Sequence, residues 1–119
     1  SGSKHTGQFF TPNHISRLTA RLMPPIVDTD GIIRFTEPTC GSGGMIIAYA
    51  KSLSEQGVNY QKKLEVIAQD IDYRCVHMCY VQLSLLGIKA TVLRQNTLTL
   101  EEVPEDSMFL TPAKMGVLV

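Results

Sequence analysis

The chain has 119 residues, 44% hydrophobic and 18% charged, a size and balance that fit one domain with a hydrophobic core and exclude extensive disorder. Eleven lysines and arginines offset eleven aspartates and glutamates, giving a formal net charge of zero, so the basic excess of a domain that grips DNA phosphates unaided is missing. No run approaches the ~20 apolar residues of a membrane span, and three cysteines, an odd number without framework spacing, suit a reducing cytoplasm.

Residues 1–119 read as a single domain, with 1–6 as a flexible tail. Ser1 to Gly7 is small and polar and no apolar segment follows it, unlike a secretion signal. Thr11-Pro12 predicts a helix start: the hydroxyl serves as N-cap, and proline stands where its missing N–H costs nothing. Ile15, Leu18 and Leu22 then share a face, and Pro24-Pro25 ends the helix. Asp28-Thr29-Asp30-Gly31 predicts a turn.

A first strand is expected over Ile32 to Glu37. The glycine-rich run Cys40-Gly41-Ser42-Gly43-Gly44 follows it, then a helix from about Met45 to Gln56 closed by Gly57. A second strand, Leu64 to Gln69, delivers Asp70 and Asp72 at its end. A helix from about Tyr73 to Leu86, closed by Gly87, leads to a third strand at Ala90 to Arg94. Met115 to Val119 is the candidate for a fourth. Strand, helix, strand, helix, strand with short connections predicts an α/β fold around three or four parallel strands.

Ligands of such sheets sit at the carboxyl ends of the strands. That edge gathers Glu37, the glycine run, Asp70 and Asn96. Glycines at 41, 43 and 44 permit close backbone approach, and the helix behind them directs its positive end at whatever binds. Three readings stay open on these residues: a tight turn without a ligand, a dinucleotide site, and a site for a cationic nucleoside. Gly41-Ser42-Gly43 begins a dinucleotide fingerprint, but Ile46 occupies its third glycine position and Glu37 would oppose a phosphate. A ligand with an ammonium and a sulfonium, such as S-adenosylmethionine, would pair with that carboxylate. Asp70 suits ribose hydroxyls, while Asp72 is the better helix cap.

Three ordered runs, Gly7-Gln8-Phe9-Phe10-Thr11-Pro12, Glu37-Pro38-Thr39-Cys40-Gly41-Ser42-Gly43-Gly44-Met45 and Gln69-Asp70-Ile71-Asp72, resemble the N6-adenine DNA methyltransferase family, in particular the modification subunits of type I restriction-modification systems. The resemblance covers roughly positions 7 to 100. It implies a three-layer α/β sandwich of the Rossmann-like methyltransferase type and S-adenosylmethionine as cofactor. It places Phe10 and Thr11 against the methionine moiety, and Glu37 with Thr39, Cys40, Gly41, Ser42 and Gly43 around its amino acid part. Asp70 would take the ribose, Ile71 would lie against the adenine, and Asn96 stands where the family often has an acidic residue near the adenine amino group.

The family's Asn/Asp-Pro-Pro-aromatic catalytic segment is absent from these residues. The one Pro-Pro pair follows Met23 and precedes Ile26, so it supplies neither the polar acceptor nor the stacking ring that a flipped adenine needs. No catalytic residue is therefore assigned. Two accounts fit: the cofactor-binding part of a DNA adenine-N6 methyltransferase, or a methyltransferase-like regulatory or assembly module without catalysis. A nucleotide-binding oxidoreductase domain is the third. DNA contact is expected through another domain or subunit.

Cys75 and Cys79 share a helix face but His77 points elsewhere, so no metal site is expected and the cysteines read as core. Apolar residues spread around much of the Tyr73 to Leu86 helix, more than one stripe requires. Together with the apolar ending Met115 to Val119, that pattern predicts a homodimer.

Overall fold

The computed structural model describes residues 27–95 and 107–117. The helix expected from Thr11 and its Pro24-Pro25 stop lie outside them. Within them the chain runs β1 (Ile33–Glu37), α1 (Gly44–Glu55), α2 (Tyr60–Lys63), β2 (Leu64–Asp70), α3 (Tyr73–Leu85), β3 (Lys89–Arg94), β4 (Met108–Leu110) and α4 (Pro112–Met115). The sheet order is β1-β2-β3-β4. The first three strands are parallel, with Phe35 opposite Val66 and Val66 opposite Ala90.

The expected turn forms at Asp28 to Gly31, where the Gly31 N–H donates to the Asp28 carbonyl at 2.9 Å and the glycine takes φ +80°. Gly57 and Gly87 likewise follow α1 and α3 with left-handed φ of +82° and +70°, as glycines just past a helix end do. The short α2 was not anticipated. Asn59 starts it, accepting a hydrogen bond from the Gln61 N–H.

Alternation decides which side of the sheet is dry. Ile33, Leu64, Val66, Ala68, Ala90 and Val92 form one core cluster with Ile46, Ala50 and Leu53 of α1 and Val76, Cys79 and Leu83 of α3. The intervening Arg34, Thr36 and Ile67 are exposed. Among the described residues both long helices therefore cover the same face, as right-handed crossovers in a 1-2-3 order require. On the other face Lys114 of α4 reaches Glu65 at 2.8 Å.

The expectation of a fourth parallel strand at Met115 to Val119 is corrected over Met115 to Val117; Leu118 and Val119 lie outside the described residues. The fourth strand is Met108–Leu110 and runs antiparallel to β3, with Phe109 opposite Val92. Met115 instead closes α4, and Gly116 follows it at φ +79°. The physical reason is Thr111-Pro112: the threonine side chain caps Lys114 N–H and proline takes the first turn, so a helix occupies the residues up to Met115, where a strand was expected to begin.

Thr111 is fully buried. Its Oγ1 accepts from the Ala90 N–H at 3.0 Å and donates to the Ile88 carbonyl at 2.7 Å, doing for the start of β3 what a neighbouring strand would do. Thr111→Val keeps the shape and removes both bonds. The expected outcome is a loss of ~1–3 kcal/mol, the cost of leaving buried backbone groups unpaired, read as a shift in the urea unfolding midpoint with unchanged slope.

Candidate functional site at the carboxyl edge of the sheet

The three parallel strands end side by side, and the segments leaving β1 and β2 meet there. β1 ends on Glu37, and the chain turns through Pro38 and Thr39 into the glycine loop. Gly41 and Gly43 are buried with φ of +54° and +98°, a region that costs any residue with a Cβ. At Gly43 space matters as well, since a Cβ would come within 3.3 Å of the Cys79 sulfur and 3.7 Å of its Cα. The loop thus lies directly on α3.

Four hydrogen bonds hold it. Cys40 N–H donates to the Gln69 carbonyl at 2.8 Å and Gly43 N–H to the Cys40 carbonyl at 2.9 Å. Gly41 N–H donates to Asp70 Oδ2 at 3.0 Å. From α3, Gln82 Nε2 donates to the Ser42 carbonyl at 2.6 Å. Gly43 is the N-cap of α1 and supplies no side chain to the first-turn N–H groups, which leaves that helix end suited to an anion or a carbonyl.

Glu37 is half-buried, and burial pushes its carboxyl above its ordinary value, against hydrogen bonds from Thr39 that act the other way. Thr39 Oγ1 donates to Glu37 Oε1 at 3.3 Å. Among the described residues no cation lies within ion-pair distance of Glu37. Native Glu37 thus holds its proton more tightly than the unfolded chain does. The associated stability is present below the ordinary carboxyl value and lost as pH rises through the raised one.

Asp70 uses both oxygens on backbone: Oδ2 on Gly41 and Oδ1 on the Asp72 N–H at 2.9 Å. Each carboxylate oxygen accepts more than one bond, so capacity for a ligand remains. Asp72 is the N-cap of α3, accepting from Arg74 N–H, and the Arg74 guanidinium holds its carboxyl down at about 2. Ile71 stands between them, 62% exposed, a free apolar surface beside the strand end.

The predicted site residues therefore divide. Glu37, Thr39, Gly41, Ser42, Gly43, Asp70 and Ile71 come together at one edge. Cys40 joins them through its backbone: the residue is 6% exposed, its thiol donates to the Gly41 carbonyl at 3.4 Å, and the neighbouring Cys79 and burial push that thiol well above its ordinary value. Phe10, Thr11 and Asn96 lie outside the described residues. Gln82 was missed; its signal is a lone amide in the apolar run Val81 to Leu86. Cys75 and Cys79 are core residues, 1% and 0% exposed, whereas His77 stacks near Tyr73 with ring centroids 5.6 Å apart. Among the described residues no group of three or more His, Cys, Asp or Glu could hold a metal ion.

A small α/β protein with a mixed four-stranded sheet and a clamped glycine loop at the carboxyl edge belongs to the broad class whose ligands enter there. Comparison narrows the class. The profile of the family described as N-6 DNA methylase matches residues 1–112, and the chain belongs to that family. It is also similar to the type I restriction enzyme MpnII methylase subunit of Mycoplasma pneumoniae, 27% identical over 105 residues that cover 86% of this chain and 18% of that protein. The chain thus spans less than a fifth of that relative's length.

If Asp70 holds the loop, Asp70→Ala should speed amide exchange at Gly41 and Asp72 by about ten- to a hundredfold, the scale of losing a hydrogen bond to a charged group. Exchange at Val66 and Val92, deep in the sheet, should not change. Unchanged exchange at Gly41 would remove the carboxylate from the clamp.

Proposed function

We propose that this chain is the S-adenosylmethionine-binding part of a DNA adenine-N6 methyltransferase of the restriction-modification kind. The observation that carries the reading is Glu37, a half-buried carboxylate beside a clamped glycine loop with no cation in reach among the described residues. Such a group opposes a phosphate and favours an ammonium. The donor set fits the cofactor throughout: Glu37 for the amino group, the loop and the start of α1 for the carboxylate, Asp70 for the ribose and exposed Ile71 for the base. Phe10, Thr11 and Asn96 complete the set on sequence grounds. Bound there, S-adenosylmethionine supplies an electrophilic methyl group.

The finer fold reading, a three-layer sandwich of Rossmann-like topology, belongs to the same proposal. It is supported by the parallel β1-β2-β3 order and by the exposed Ile67, on the face that α1 and α3 leave open. DNA would be met through another domain or subunit, in keeping with zero net charge. Within these 119 residues the Asn/Asp-Pro-Pro-aromatic segment does not occur, which also favours a second reading, a module that binds cofactor without catalysis.

Calorimetry tests the core of the proposal. The chain should bind S-adenosylmethionine in preference to NAD, and Glu37→Gln should weaken binding by ~1.5–3 kcal/mol, the worth of a charged hydrogen bond. Affinity should fall as pH drops through the raised Glu37 value, because protonation removes the charge the ammonium meets, and Glu37→Gln should flatten that dependence. Preference for NAD would end the reading. With unmethylated DNA and labelled cofactor, no N6-methyladenine is expected from this chain alone.

We also propose a homodimer. Met78, Val81 and Leu85 stand at i, i+3 and i+7 on α3 with exposures of 44%, 53% and 81%, and Met115 and Val117 are exposed too. A specific interface needs upward of ~1,000 Å². Light scattering at micromolar concentration should give a dimer that Val81→Glu with Leu85→Glu converts to monomer, and a monomeric parent chain would refute it.

A further inference from the structure

The glycine loop is built so that its own peptides can rotate. Reversing the Ser42–Gly43 peptide changes ψ of residue 42 and φ of residue 43, and glycine at 43 accepts either sign of φ. In one orientation the Ser42 carbonyl faces α3. In the other it would turn away from α3, toward the side where the proposed ligand's carboxylate would lie. The observed orientation is held on its N–H side by the Gly43 bond to the Cys40 carbonyl, and on its carbonyl side by whatever meets Ser42.

On the carbonyl side the hold is Gln82. Its Nε2 donates to the Ser42 carbonyl at 2.6 Å across forty positions of sequence. It sits on the part of α3 that also supplies the floor, where Cys79 and Leu83 meet the place a Gly43 Cβ would occupy at 3.3 and 3.7 Å. Of the other clamps, one lies in the same peptide, the Gly43 N–H bond to the Cys40 carbonyl at 2.9 Å, which closes the turn from within the loop. The bond from Gly41 N–H to Asp70 and that from Cys40 N–H to Gln69 act one and two residues earlier, so among the described residues Gln82 is the hold on this peptide from outside the loop.

We propose that Gln82 is a positioning residue for the ligand site: by holding the Ser42 carbonyl against α3 it keeps the glycine loop in its binding-competent form, without touching the ligand. The inference rests on the cofactor reading given above. Its energetic form is a population. Apparent affinity scales with the fraction of molecules whose loop is competent, and losing a hydrogen bond of ordinary strength lowers that fraction by about tenfold.

Two variants test it. Gln82→Met keeps the length of the side chain and removes the donor; Gln82→Glu keeps the shape and presents a carboxylate to the Ser42 carbonyl at neutral pH. Both should weaken S-adenosylmethionine binding by about tenfold or more at a temperature well below unfolding, and both should speed exchange of the amides of residues 41–45 in the unliganded protein. Exchange at Val66 and Val92 should stay as in the parent. Faster loop exchange with unchanged affinity would make Gln82 a packing residue only and overturn the proposal, as would unchanged loop exchange. If neither variant folds, the parent decides: the side-chain amide protons of Gln82 should exchange slowly and couple to the Ser42 carbonyl in NMR spectra, and rapid exchange would refute the clamp. A parent that does not bind S-adenosylmethionine would sink the cofactor reading, while loop exchange still reports on Gln82.

Discussion

The clamp on the glycine loop is the constraint on which the rest of this molecule depends. A loop rich in glycine has the most conformational entropy to lose on folding, and here it is held by bonds from two different elements. β2 contributes the Gln69 carbonyl and the Asp70 carboxylate, and α3 contributes Gln82 with the surface of Cys79. Asp70 also receives the Asp72 N–H, and Asp72 caps α3. The end of β2, the start of α3 and the loop before α1 are therefore one hydrogen-bonded unit. None of the three can shift without straining the others.

The two carboxylates of the edge divide the work by their surroundings. Asp70 is satisfied by backbone N–H groups and acts first as a structural acceptor. Among the described residues the Glu37 carboxyl has only Thr39 and is partly desolvated, a state that opposes its charge unless a cation arrives. A folded protein gains nothing in stability from such a group at neutral pH, and the physical argument for a cationic ligand comes from that cost. The same edge disfavours a dinucleotide, whose pyrophosphate would face the Glu37 charge.

The sheet supports this edge with small residues where helices press closely. Ala68 and Ala90 are completely buried under α1 and α3, and larger side chains there would lift the helices and with them the floor of the loop. Thr111 serves at the opposite end of β3, turning the chain from an antiparallel strand into α4 while satisfying the backbone of Ile88 and Ala90. Arg34 joins Asp28 and Asp30 at the start of β1. These pairs are exposed, and solvent screens them.

Much of the fold was legible because local rules govern it. The short runs at Ile32, Leu64 and Ala90 marked β1, β2 and β3, glycines at 57 and 87 marked helix ends, and Asp72 announced a cap; each of these signals acts over a few residues. The candidate site was legible to the extent that it is a contiguous motif, Glu37 to Gly44, and a strand end, Asp70. What sequence alone could not determine is whatever joins distant positions. The place and direction of β4 were set by the pairing of Met108 to Leu110 with Leu93 to Thr91 of β3, well back in the chain. That the Cys40 side chain is buried beneath the loop could be seen only once α3 packed against it. Gln82 became visible only when α3 lay across Ser42. Local propensity is written in neighbouring residues, whereas the partner of a polar side chain forty positions away is chosen by packing, and only the tertiary structure decides that.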